Sequence, residues 1–246
     1  MKNNKKILLV TAVHGDESIG VEVIREINKT KLCGKFASII ANPRALKKKV
    51  RFIESDLNRV FPGDVMGNYE ERRAEMLFKK IQKYDCVIDL HGSVSKTGIF
   101  IIMTKLNLEN LGLALLFNIK RILIWPSSSA TKGSLVTFAK NGVGIEIESG
   151  EKSDNGIKRE LKKILLDFLK NSDRNVDIEK EMKNREFFSV IGQIKRKNKK
   201  TLKLEDWKKM KNFYPLFVGQ YPDLVCYKLK KIKNSNVLYE INKQKM

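Results

Sequence analysis

Lys6-Ile7-Leu8-Leu9-Val10-Thr11-Ala12-Val13-His14-Gly15-Asp16-Glu17 is the stretch that decides the fold. Its apolar part, within residues 5–13, reads as a buried strand of a parallel sheet. A helical pattern follows over residues 16–28, where Ile19, Val23 and Ile27 recur at a spacing of four with charges between them. A second run, Cys86-Val87-Ile88-Asp89-Leu90, ends in the same way, on His91-Gly92. His14 and His91 are the only two histidines in 246 residues, and both are expected at strand ends. Ligands of open α/β sheets bind at the carboxyl ends of the strands.

Glu17 lies three residues beyond His14, where the helix is expected to begin. That spacing lets a strand-end imidazole and a first-turn carboxylate converge. Two imidazoles and one carboxylate suit zinc, and three protein ligands leave a fourth position for water. His14, Glu17 and His91 are therefore the candidate metal ligands. Asp16 is expected to cap the helix.

Outward from these strands the chain alternates. Phe36 to Ala41 reads as a strand stopped at Asn42-Pro43, because proline lacks a donor and fixes its own φ. Residues 50–66 have no periodicity and read as a long polar loop, a common location for function. Residues 68–83 read as a helix, Gly98 to Met103 and Arg121 to Trp125 as strands, Leu108 to Asn118 as a helix and Val143 to Ile147 as a strand. Ile157, Leu161, Ile164, Leu165, Phe168 and Leu169 form an amphipathic stripe. The fold class is α/β, a mixed or parallel sheet with helices on both faces. Beyond about residue 172 the texture changes to short strands at Phe187–Ile194, Phe213–Val218, Leu224–Leu229 and Asn236–Ile241. The expected organisation is a domain over 1–172 and a small β-rich domain over 173–246.

Composition narrows the class. No apolar run is long enough to span a membrane. Three distant cysteines, Cys33, Cys86 and Cys226, point to a reducing cytoplasm and exclude a disulfide framework. The net charge is +21, carried mostly by lysine. A strong positive field attracts phosphates, but no nucleic-acid motif accompanies it, so a solvated lysine surface is expected.

Arginine is scarce, yet Arg44, Arg51, Arg59, Arg72 and Arg73 cluster within thirty residues. A guanidinium fork binds a carboxylate through two parallel bonds, and a neighbouring amide adds a third. Asn58 and Arg59 are thus candidates for holding a substrate carboxylate. Arg72 and Arg73, on the expected helix, are read as structural.

Five segments in order, His14-Gly15-Asp16-Glu17, Asn42-Pro43-Arg44-Ala45, Arg51 through Asp56-Leu57-Asn58-Arg59, Asp89-Leu90-His91-Gly92 and Gly144-Ile145-Glu146, resemble the succinylglutamate desuccinylase/aspartoacylase family. That family is similar in fold to the zinc carboxypeptidases. The resemblance implies a zinc-carboxypeptidase-like catalytic domain with one zinc ion on His14, Glu17 and His91. It implies Glu146 as general acid/base, Arg51 polarising the scissile carbonyl, and Asn58 and Arg59 on a substrate carboxylate, with Asp56 in support. The implied activity is a zinc-dependent amidohydrolase acting on an N-acyl amino acid or a related small carboxylate. A zinc carboxypeptidase acting on short peptides is the alternative. The family's C-terminal β domain contributes a tyrosine, for which Tyr221 is the nearest match.

The sequence also departs from the family pattern. Where aspartoacylases carry an arginine shortly before the catalytic glutamate, this chain offers only Lys132. Glu146 is followed by Ile147-Glu148-Ser149-Gly150 in place of glycine and proline. Residues two apart on a strand share a face, so Glu148 is a second candidate base. The C-terminal part is shorter than usual.

Overall fold

The computed structural model describes residues 5–125, 133–196 and 203–243. Its strands are β1 (Ile7–Thr11), β2 (Ala37–Ile40), β3 (Cys86–Ser93), β4 (Gly98–Met103), β5 (Arg121–Ile124), β6 (Gly144–Gly150), β7 (Glu186–Lys195), β8 (Tyr214–Leu216) and β9 (Leu224–Ile232). Among the described residues they form one sheet in the order β2-β1-β3-β6-β4-β5-β7-β9-β8. Pairing is parallel from β2 to β6, antiparallel between β6 and β4, parallel through β5 to β7, and antiparallel at β9 and β8. The strands after residue 172 therefore continue the same sheet as the earlier ones.

The helices are α1 (Ile19–Ile27), α2 (Pro43–Lys48), α3 (Tyr69–Ile81), α4 (Leu108–Leu115), α5 (Asn155–Asn171), α6 (Ile178–Met182) and α7 (Asn234–Lys243). Three of them, α2, α6 and α7, are not among the helices expected from the sequence. Residues 236–241, expected as a strand, lie in α7, whose Val237 and Ile241 pack four apart into the main core. A four-residue apolar spacing fits a helix, and the short apolar run concealed it. Pro43 opens α2 at a first-turn position, where its missing donor costs nothing.

Successive residues of a strand point to opposite faces, and the central strands use this alternation fully. Ile88 and Leu90 of β3 and Ile145 and Ile147 of β6 enter the core beneath α1, α4 and α5. Phe117 stacks on Phe168 there, with centroids 4.1 Å apart. The opposite face carries two separate apolar clusters. One joins Leu8, Val10 and Val87 to Leu77 and Ile81 of α3. The other joins Phe100, Ile102, Leu123 and Trp125 to Phe188, Leu216 and Phe217. Between them, on the same face, β3 presents Asp89 and His91, and β6 presents Glu146 and Glu148 in register beside them. A polar seam thus crosses an otherwise apolar sheet.

Phe168→Ala removes a fully packed aromatic ring and should lower stability by about 3–5 kcal/mol. The denaturant midpoint followed by circular dichroism measures this.

Candidate metal centre and substrate cavity

β1 ends at Thr11, and Ala12 takes a left-handed φ of 51° that turns the chain off the sheet. The turn is pinned by Ala41 and Asn42, whose N–H groups donate to the Thr11 and Ala12 carbonyls at 2.8 and 2.9 Å. His14 therefore stands on a loop beyond the strand. His91 lies inside β3, two residues before its end. Gly15 touches the backbone of Ala45 and Leu46 so closely that no Cβ fits there. The His14 loop is thereby seated on α2.

The three expected ligands converge. Glu17 Oε1 is 2.9 Å from His14 Nδ1, and its Oε2 is 3.1 Å from His91 Nδ1. Gly92 N–H donates to the same Oε2 at 2.9 Å. All three side chains are buried, and one ligand atom from each lies within 4.8 Å of the others. The far nitrogen of each ring meets a carboxylate: His14 Nε2 is 3.1 Å from Asp56 Oδ1, and His91 Nε2 is 2.9 Å from Asp89 Oδ2. A carboxylate behind an imidazole fixes its tautomer and leaves the other nitrogen to a metal. The donor set fits a divalent cation of the zinc type. Burial opposes charge on both rings, but Glu17 and Asp56 raise His14, and Asp89 and Glu17 raise His91 well above the usual value. Burial likewise opposes charge on Glu17, yet the two imidazoles hold it well below the carboxylate range.

Around the cluster lies a cavity lined by His14, His91, Arg51, Asn58, Arg59, Glu146, Glu148, Ile102, Trp125, Ser134, Phe217 and Tyr221. Its volume of about 40 Å³ holds roughly three waters. Arg51 donates from Nε and Nη2 to Asp56 Oδ2 at 3.2 and 3.0 Å, and its Nη1 is 3.7 Å from Glu17 Oε1. Asn58 donates to Glu146 Oε1 at 3.4 Å and accepts from Leu135 N–H at 3.0 Å. Arg59 donates to the Asn58 carbonyl at 2.9 Å. Burial pushes the Glu146 carboxyl up. It pushes Glu148 up to about 8 and also raises the Tyr221 hydroxyl. Lys132 lies outside the described residues.

Other side chains were missed or misread in the sequence. Glu70 of α3 is completely buried. It accepts the N–H groups of Ile53, Glu54 and Ser55 at 2.7, 3.0 and 3.2 Å and the Asn42 amide at 3.0 Å. One carboxylate thus shapes the loop that carries Arg51 and Asp56. Its place four residues before Ala74, on the stripe continued by Leu77 and Ile81, is the signal that separates it from the half-buried Glu71 and Glu75. Asp16 does not cap α1; it pairs with Lys152 at 2.8 Å, because the helix starts later, after Ser18. Arg73 donates to the Ala41 and Ile40 carbonyls, tying α3 to the end of β2.

The comparisons agree with this architecture. The family model for the succinylglutamate desuccinylase/aspartoacylase catalytic domain matches residues 3–171, and the chain belongs to that family. A probable aspartoacylase of Acaryochloris marina is 25% identical over 166 residues, 58% of this chain and 55% of the relative. The aspartoacylase of Mus musculus is 33% identical over 119 residues, 40% of this chain and 38% of that protein. The chain thus spans about half the length, or less, of these curated relatives. Murine aminoacylase 3 superposes with a TM-score of 0.75 at 17% identity, covering 94% of this chain and 97% of the other. Succinylglutamate desuccinylase from Chromobacterium violaceum gives 0.71 at 17% identity, covering 94% and 86%. These structures share the fold, a large mixed sheet flanked by helices.

Glu70→Ala removes the acceptor of three partly buried backbone N–H donors and of the buried Asn42 amide. At roughly 1–3 kcal/mol per unsatisfied group, relieved in part by water, a loss of about 3 kcal/mol is expected. Thermal and denaturant unfolding test it.

Proposed function

We propose that the chain is a zinc-dependent hydrolase that cleaves the amide bond of an N-acyl amino acid or a related small carboxylate. One zinc ion per chain would be held by His14, Glu17 and His91. The observation that carries this reading is the convergence of both Nδ1 atoms on one carboxylate, with a second carboxylate behind each ring. The names of the relatives, aspartoacylase, aminoacylase 3 and succinylglutamate desuccinylase, support the substrate class.

Zinc supplies a Lewis acid and lowers the pKa of water from about 15.7 towards about 7. The rest is done by the chain. A carboxylate must take the proton of the attacking water and return it to the leaving nitrogen. The sequence reading put Glu146 in this role and kept Glu148 open. What favours Glu148 is its register beside His91 and its electrostatic coupling to His91, Glu17 and His14, all three ligands. Glu146 lies one step deeper, beside Asp89. Arg51, held by Asp56 in a two-pronged contact, faces the developing oxyanion; one such donor typically contributes about 3–4 kcal/mol. Asn58 and Arg59 hold the substrate carboxylate and fix its approach. Tyr221 closes the cavity from the C-terminal segment.

We assign the chemistry to residues 1–172 and treat 173–246 as the β-rich part that contributes Phe217 and Tyr221. A reducing, cytoplasmic location fits three free cysteines. No described helix is long and apolar enough to cross a membrane. The positive charge is read as a solvated surface rather than a nucleic-acid site.

Purified protein should contain close to one zinc per chain, and chelation should abolish amide hydrolysis until zinc is returned. Glu148→Gln should keep the metal and lower kcat by about 10²–10⁴-fold. The same loss in Glu146→Gln instead would transfer the base role to that residue. Zinc-replete protein that cleaves no N-acyl amino acid in a broad panel would refute the reaction class.

A further inference from the structure

With Glu148 assigned to proton transfer, Glu146 is a buried acid that the reaction leaves unused. It is 5% exposed and lines the cavity with Ile102, Trp125 and Ser134. Among the described residues its one hydrogen bond is the 3.4 Å contact from the Asn58 amide, and it forms no ion pair. Burying an ionised carboxylate is costly unless an opposite charge accompanies it.

Against its burial, His91 and Arg59 lower the Glu146 carboxyl from beyond ion-pair distance, Asp89 opposes them, and no described cation makes an ion pair with it. Arg51 is bound to Asp56 and leans on Glu17. Arg59 donates to the neighbouring backbone carbonyl and forms no ion pair among the described residues. One guanidinium and one carboxylate thus line the same cavity without a contact ion pair among the described residues. A ligand carrying a carboxylate and an ammonium satisfies both. A ligand with two carboxylates satisfies Arg59 and repels Glu146.

Resting on the hydrolase reading above, we propose that Glu146 is a specificity-determining residue that receives an ammonium group of the substrate while Arg59 receives its carboxylate. The substrate class is an N-acyl diamino acid, which keeps one free carboxylate and one free ammonium. N-acetylornithine and N-acetyllysine serve as probes.

The experiment has two arms. In the first, zinc-replete protein is assayed with N-acetylornithine, N-acetyllysine, the uncharged N-acetylglutamine and N-acetylleucine, and the acidic N-acetylaspartate. The cationic substrates should have kcat/KM at least tenfold above the uncharged ones and further above N-acetylaspartate. Glu146→Gln should reduce the cationic-to-uncharged ratio at least tenfold, chiefly through KM. Preference for uncharged or acidic substrates, or an unaltered ratio in Glu146→Gln, overturns the proposal. So does loss of turnover on every substrate in Glu146→Gln, which would mark that residue as the base.

The second arm reads binding without turnover. Calorimetric titration of zinc-replete Glu148→Gln protein should give tighter binding of N-acetylornithine than of N-acetylglutamine, and adding Glu146→Gln should remove the difference. Charge-selective binding without hydrolysis by the wild type would refute the reaction and leave the recognition standing. Equal binding of the two probes refutes the recognition.

Discussion

One carboxylate, Glu17, engages two imidazoles that are far apart in the chain, and the site is built around it. Each of its oxygens meets one Nδ1. A lone carboxylate at that depth would be protonated or expelled, because burial penalises its charge. The imidazoles reverse that penalty. The imidazoles are in turn held from behind by Asp56 and Asp89, so the cluster is stable only as a unit. Removing one member leaves another buried group unpaired, the situation in which destabilisation is largest.

The sheet makes the cluster possible. β3 and β6 send their apolar residues to one face and their acids and His91 to the other. Helices cover the first face. On the second face two apolar clusters stop short of each other, and the polar seam lies in the gap. The aromatic group from β7 to β9 then walls one side of the gap and brings Phe217 and Tyr221 to the cavity. The loop carrying Arg51, Asp56, Asn58 and Arg59 walls another, and it keeps its shape through backbone donors gathered on Glu70. A rigid scaffold with loops placed at its edge is the usual way to hold reactive groups in position.

Two strand glutamates, Glu146 and Glu148, share this seam. Their common face follows from the two-residue period alone. Their different surroundings do not, since each is defined by the strand beside it: Asp89 next to one, His91 next to the other. Asn58 touches only the deeper of the two, Glu146. Chemically identical side chains are thereby suited to different roles.

Much of this was legible in the sequence. Apolar runs ending near His14 and His91, and Glu17 three residues on, were local signals, and local signals survive folding when strand and helix periods are clear. The α/β class, the convergence of His14, Glu17 and His91, and the polar loop all followed from them. Other features required the tertiary structure. Burial of Glu70 depends on three N–H groups at least fifteen residues away. Helix α7 was hidden because a short apolar run fits either period until its partners are known. Separation of Glu146 from Glu148 rests on strand register, and register is a relation between segments that no single stretch of chain encodes.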